Sequence, residues 1–343
     1  MKLATGAGYW GTGPPDNALE TILTAERLGY DSFWTAEAYG SDALTPLAWW
    51  GSQTERIKLG TGIVQMSART PSAVAMAAMT LDHLSGGRLI LGLGVSGPQV
   101  VEGWYGQPYD RPLERTREYV EIIRAILARK EPVTYEGQQY QLPYPGGTGL
   151  GKPLKSTVHP LRSDLPIYLG AEGPRNVSLA AEICDGWLPL FFSPKSDRFY
   201  RDALDAGFSK DGAHADAGSF EVAAMVPVIV NDDIEAAANA VRPMLALYVG
   251  GMGAKGANFH YDVLARLGYD DECAHIQSLY LSGRKREAIA AIPREMVEDT
   301  ALIGPIGKIK DELPKWRATC LTTMLVGGPP AHLRQVAELV NGS

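Results

Sequence analysis

The sequence predicts an α/β protein whose strands close into a (β/α)8 TIM barrel with insertions. Three observations carry this. Eight short apolar runs alternate with longer stretches whose apolar residues recur at helical spacing. Strands joined through helices run parallel, because parallel neighbours need a crossover connection. The count of eight favours closure, with an open doubly wound sheet as the structural alternative. The chain then forms one barrel domain, 1–343, carrying a loop insertion at about 132–165 and a helical insertion at about 232–297. Such a length is ordinary for an α/β barrel.

The elements follow in order. Residues 2–6 read as the first strand, and Pro14-Pro15 breaks the chain after it. Asp16 caps a helix with Leu19, Ile22, Leu23 and Leu28 on one face, ending at Gly29. Residues 32–36 form the second strand, 44–52 a short helix and 57–64 the third strand. Thr70-Pro71 opens a helix in which Val74, Ala77, Ala78 and Leu81 are spaced for burial. Residues 88–93 are the fourth strand, followed by a glycine-rich turn. The helix over about 112–129 has a clear stripe of Tyr119, Ile122, Ile123, Ile126 and Leu127. Residues 132–165 are rich in Gly, Pro and Tyr, and so long an excursion reads as a lid or a binding loop. Strand five spans 165–170, a helix 176–184, strand six 186–191 and a helix about 195–206. Strand seven spans 222–230. The helical insertion contains 234–249 and 276–292, strand eight spans 321–326, and 332–340 is the closing helix.

Composition excludes several functions. A net charge of −7 lacks the basic footprint of a nucleic-acid binder and gives no attraction to an anionic membrane. No apolar stretch approaches a membrane span, and a cytoplasmic protein is expected. Cys184, Cys273 and Cys320 are far apart and suggest neither a disulfide framework nor a zinc cluster. The histidines lack metal-ligand spacing, so no metal is expected. Neither a G-x-S-x-G elbow nor a P-loop occurs.

In a barrel the chemistry collects where strands end. Gly92-Leu93-Gly94-Val95-Ser96-Gly97 matches a bare dinucleotide pattern, but Pro98 and the Gly103 to Gly106 stretch delay the helix until about Pro112. It is therefore read as a barrel loop whose glycines let a ligand approach the chain. The second cluster, Gly170-Ala171-Glu172-Gly173-Pro174-Arg175-Asn176, leads into a helix. Its amides and Arg175 suit a phosphate, and a plain turn with a solvated arginine fits equally well. Trp10, Trp34, Trp49, Trp50, Tyr105, Tyr140 and Tyr144 suit either an apolar pocket for a polycyclic or lipid-like molecule or simple packing. The residues do not fix the assembly, for which a homodimer is the commonest arrangement.

Several segments together resemble the luciferase-like monooxygenase superfamily. They are Phe33-Trp34-Thr35-Ala36-Glu37-Ala38-Tyr39, Leu59-Gly60-Thr61-Gly62-Ile63, Arg69-Thr70-Pro71, Leu81 to Arg88 with its Ser-Gly-Gly-Arg end, and Leu91-Gly92-Leu93-Gly94. Ala171-Glu172-Gly173-Pro174 and Ala181 to Trp187 follow in the same order. Ser96 to Trp104 and Tyr140 to Pro145 are similar to an actinobacterial F420-dependent subgroup. The resemblance implies a luciferase-like barrel that transfers a hydride between the deazaflavin F420 and a small organic substrate. The alternatives are an FMN-dependent monooxygenase and an F420-binding protein without turnover.

It also implies roles for residues. Thr61, Gly62 and Ile63 match a bulge with a non-proline cis peptide behind the deazaflavin, at Gly62–Ile63 in this chain. Ser96 and Gly97 lie along the cofactor, and Ala171, Glu172, Gly173 and Arg175 lie toward its phosphate side. The chain departs from relatives that carry Asp-His or His-His where Glu37-Ala38 stands, and from those with a glutamate where Pro98 stands. Glu37 is therefore the candidate catalytic acid. A contact to the deazaflavin's polar edge or a purely structural carboxylate are its other readings.

Overall fold

The computed structural model describes residues 1–253 and 256–342. Eight parallel strands form the barrel: β1 Lys2–Gly8, β2 Ser32–Thr35, β3 Lys58–Thr61 continued by Val64–Gln65, β4 Leu89–Gly94, β5 Ile167–Gly170, β6 Gly186–Leu188, β7 Glu221–Met225 and β8 Thr323–Leu325. Each strand pairs with its sequence neighbour, and β8 pairs with β1 in the register Lys2 to Thr323, so the sheet closes without an edge.

Closure explains the sequence pattern. Helices cover the outside and side chains fill the inside, so β4 is buried at every residue and reads as a continuous apolar run. Ala4, Trp34, Ile90, Tyr168 and Ala223 fill the interior, with the Trp34 and Tyr168 rings 5.9 Å apart. The much larger apolar layer lies between strands and helices.

The Ser85-Gly86-Gly87-Arg88 segment belongs to the opposite end of the barrel from the chemistry. Gly86 and Gly87 both take positive φ, 66° and 86°, where a side chain is strained. The turn delivers Arg88 to the carbonyls of Gly51, Thr54, Ile57 and Ser85, stitching the loops that precede β3 and β4. This motif builds the scaffold.

The structure corrects several expectations. Strand three is interrupted at Gly62 and Ile63. The expected seventh strand is two: β7 stops at Met225, and Val228–Val230 pairs with Leu302–Gly304 outside the barrel. Val226-Pro227 separates them, and proline has no N–H for the ladder. A helix, Pro98–Gly103, starts directly after Gly97, where the sequence suggested a delay to Pro112. The proline that seemed to block a helix occupies its first turn, where its missing N–H costs nothing. The insertion holds Ile234–Gly250, Phe259–Leu264, Asp270–Leu281, Lys285–Ala290 and Arg294–Thr300 around a second apolar cluster; its residues 254 and 255 lie outside those described. The helix Ile306–Arg317 before β8 had no counterpart in the sequence reading.

The excursion at 132–165 is a strap rather than a lid. The Glu118 carboxylate accepts from the amides of Gln138, Gln139 and Tyr140. Arg129 donates to Ser156 O, and Arg162 reaches Asp82 and Leu89 O at the start of β4. These contacts run along the outer helices. No helix among the described residues is long and apolar enough to cross a membrane.

Candidate active site

At the C-terminal rim the loops after β2, β3, β4 and β5 gather the residues singled out from the sequence. The peptide Gly62–Ile63 is cis. Gly62 N donates to Thr35 O at 2.7 Å, so the bulge stays tied to β2. Ile63 stands against β4 and β5: a Cβ on Gly94 would come within 2.7 Å of its side chain, and one on Gly170 within 3.1 Å. Gly62 is exposed and Ile63 partly so, which makes them a small apolar floor at the mouth. The Thr61 hydroxyl is fully buried and spent on β4, donating to Gly92 O at 2.9 Å and accepting from Gly92 N at 2.8 Å.

Glu37 is 4% exposed and its carboxylate is saturated. Oε1 accepts from Arg69 Nη1 at 2.8 Å and from Gln65 N at 3.0 Å, while Oε2 accepts from Ala43 N at 3.2 Å. Burial works against the charge of Arg69, and the hydrogen bond and charge of Glu37 outweigh it, holding the guanidinium above its ordinary pKa. Gln65 Nε2 returns to Glu37 O at 3.2 Å. This network locks the loop after β2 to the second half of β3. Three N–H donors thus meet the Glu37 carboxylate.

Ser96 takes φ +60°, uncommon for a residue with a side chain, and Gly97 caps the short helix that follows. Across the rim, Ala171 O is occupied by Trp187 Nε1 at 2.7 Å. Gly173 starts the helix Pro174–Ile183, with Arg175 exposed in its first turn. The Glu172 side chain is 12% exposed, with Oε1 2.6 Å from His260 Nδ1, and its carbonyl accepts from Arg266 Nη2 at 3.0 Å. Tyr248 from the insertion meets Tyr9 after β1, hydroxyl to hydroxyl at 3.4 Å. The helical insertion therefore leans on the rim between β5 and β1.

Of the aromatic residues noted in the sequence, Trp34 fills the barrel, Trp10 and Trp50 pack together in the outer layer and Tyr140 packs on Tyr119. Trp49 and Tyr144 are exposed. At the rim stand Tyr105, beside Arg69 and Glu37, and Tyr39 and Trp104, exposed and 6.4 Å apart. A cavity of about 670 Å³ between the helices Pro112–Ala128, Pro174–Ile183 and Asp197–Phe208 is lined by Arg117, Arg175, Leu179 and Lys210. It lies outside the barrel wall, whereas the loops after β2, β3, β4 and β5 gather at the strand ends, where barrel chemistry collects, so the rim is the candidate site.

Sequence reasoning missed Arg69, Gln65 and His260. Arg69 carried a signal, a cation just past strand three with a carboxylate just past strand two. His260 sits in an insertion whose helical pattern speaks only of packing.

Comparison with known proteins gives the family. Residues 2–323 match the family model described as luciferase-like monooxygenase. A Mycobacterium tuberculosis protein, provisionally named a coenzyme F420-dependent oxidoreductase, is 54% identical over 343 residues, 99% of each chain. A 5,10-methylenetetrahydromethanopterin reductase of Archaeoglobus fulgidus is 30% identical over 90% of this chain and 88% of its own. The structure of the coenzyme F420-dependent tetrahydromethanopterin reductase from Methanopyrus kandleri superposes with a TM-score of 0.80 at 25% identity, covering 99% of this chain and 97% of that one. A bulged third strand, a glycine-rich fourth-strand loop and a fifth-strand loop opening a helix are thus the rim of a protein that belongs to the luciferase-like monooxygenase family.

Proposed function

We propose that this protein is an oxidoreductase that transfers a hydride between coenzyme F420 and a small organic molecule. The 54% identity along the whole chain to a protein named for F420 carries the proposal. The rim residues fit an elongated, anionic deazaflavin. Gly62 and Ile63 offer an apolar floor for a flat ring. Gln65 Oε1 and Asn176 Oδ1 are buried acceptors without a protein donor, each short of the partner that a ring N–H or a hydroxyl supplies. The first turn of Pro174–Ile183 provides the positive end of a helix, with Arg175 beside it, for the phosphate.

When bound, F420 supplies the two-electron chemistry as a hydride at its deazaflavin ring. The protein's part is placement. Ile63, wedged over Gly94 and Gly170, sets the height of the ring. Ser96 and Gly97 run along its side, and Gly173 with Arg175 anchors the tail. Glu37 and Arg69 keep the β2 and β3 loops rigid beneath it, a positioning role in place of the acid role the sequence suggested.

Reaction with oxygen tests this reading. Deazaflavin lacks the N5 that lets reduced flavin react well with oxygen. Protein mixed in air with reduced F420 is expected to keep the cofactor reduced until an organic acceptor is added. Rapid oxygen consumption with reduced FMN, and none of these properties with F420, makes the protein a monooxygenase. Retention of reduced F420 against a broad acceptor panel makes it a carrier.

A further inference from the structure

We infer that His260, oriented by Glu172, is the group that gives and takes the proton accompanying hydride transfer. The inference rests on the hydride-transfer reading above and adds the residue that completes its proton balance.

The two side chains come from separate parts of the chain. Glu172 ends the fifth-strand loop, and His260 lies in the first turn of the insertion helix Phe259–Leu264. Glu172 Oε1 and His260 Nδ1 are 2.6 Å apart, with the side chains 12% and 22% exposed. The pair meets at ion-pair distance without a hydrogen bond, so His260 Nδ1 and Glu172 Oε2 are both buried and without a hydrogen-bond partner. This carboxylate is unlike Glu37, whose oxygens are all engaged.

The surroundings hold the ring in place. Asn258, 4% exposed, accepts from the amides of His260 and Tyr261 and donates to Tyr248 O and Val249 O, pinning the helix start to its neighbour. The imidazole meets Tyr248 edge-on at 4.8 Å and 87°, and Phe191 at 6.3 Å and 90°. Phe191, 3% exposed, holds a left-handed φ of 53° just past β6, an unusual backbone state that sets its ring there.

The chemistry follows from the pairing. A carboxylate at Nδ1 selects the tautomer protonated there and leaves Nε2 as the exchanging atom. Nε2 has no partner among the described residues. When a hydride adds to the carbon of a polarised C=O or C=N bond, the bond's electron pair moves onto the heteroatom. That atom takes the Nε2 proton of imidazolium, leaving neutral His260. In the reverse direction neutral Nε2 takes the proton of a hydroxyl or amine as the hydride leaves.

Among the described residues, the charged and titratable groups around the ring come from three elements, with Tyr9 after β1 behind Tyr248. They are Glu172 from the β5 loop, Asp262 and Arg266 from the insertion, and Tyr248 from Ile234–Gly250, whose phenol burial pushes far above its ordinary value. Tyr248 therefore stays neutral beside the ring.

The test uses protein labelled with ¹⁵N in its six histidines. His260→Gln assigns the His260 signals by their loss, and a thermal melt confirms that each variant folds. Three results are expected. Neutral His260 is protonated on Nδ1, and Glu172→Gln abolishes that preference. Nε2 takes up a proton reversibly within the pH range where the fold is stable. Saturating F420 moves the Nε2 signal, while F420 affinity stays within about twofold in His260→Gln, consistent with a group that does not hold the cofactor. Protonation of the neutral ring on Nε2, or an Nε2 signal that neither titrates nor responds to F420, overturns the assignment. A tenfold loss of F420 affinity in His260→Gln also overturns it and makes the residue a cofactor ligand. If the wild type shows the tautomer and titration but binds no F420, the cofactor reading has failed instead.

Discussion

The ends of β2 and β5 each present a glutamate to the same rim, Glu37 buried and Glu172 partly exposed, and their neighbours give them opposite characters. Glu37 receives three N–H donors, one from a guanidinium. Glu172 has one oxygen against a histidine and one without a donor. A carboxylate whose acceptor sites are filled is held in a single state and stiffens what it touches. One with a free oxygen beside a titratable ring can respond to a proton. Position on the catalytic face is shared, so the local donors decide which carboxylate does chemistry.

Breaking the Glu37 network should produce the largest effect. Arg69→Met leaves a buried, unpaired carboxylate, and equilibrium urea unfolding is expected to show a loss of about 3–5 kcal/mol. Adding Glu37→Gln to that variant should restore part of it, since the uncompensated charge is then gone. A loss below about 1 kcal/mol for Arg69→Met would mean that the pair is not structural.

The same substitution at the other strand end should hardly register. Glu172→Gln is expected to change stability by about 1 kcal/mol or less, the net worth of an ordinary hydrogen bond. A loss as large as that of Arg69→Met would erase the contrast between the two carboxylates.

A third carboxylate sharpens the pattern away from the rim. Glu26 Oε2 accepts from the amides of Glu55, Arg56 and Ile57 at 2.9–3.0 Å. Burial raises its pKa, but those three amides outweigh it and hold it below the ordinary carboxylate value. With the folded pKa depressed, its contribution is complete above the unfolded value and fades as pH falls through the folded one. Glu26→Gln should therefore cost stability at pH 7, and the gap to wild type should close below about pH 4. A gap independent of pH would show that the carboxylate's charge contributes nothing.

Much of this architecture is legible in the residues, and the misses have physical causes. Apolar runs at strand spacing locate all eight barrel strands, because burial on both sides leaves little choice of residue. The break after Met225 is hidden because residues 222–230 stay apolar while the chain changes sheets. At the rim, the sequence points to Glu37 by position alone. It cannot show that Arg69, more than thirty residues on, neutralises it. His260 is harder still, because its partner lies 88 residues earlier and meets it only once the insertion folds onto the barrel.

Parallel titration of the purified protein with F420 and with FMN, each followed by thermal unfolding, tests the central claim most directly. Saturable binding of F420 is expected, with stabilisation of about 2.7 kcal/mol at a hundred times its dissociation constant, and much weaker binding of FMN. Tight binding and stabilisation by FMN, with no measurable affinity for F420, would contradict the account.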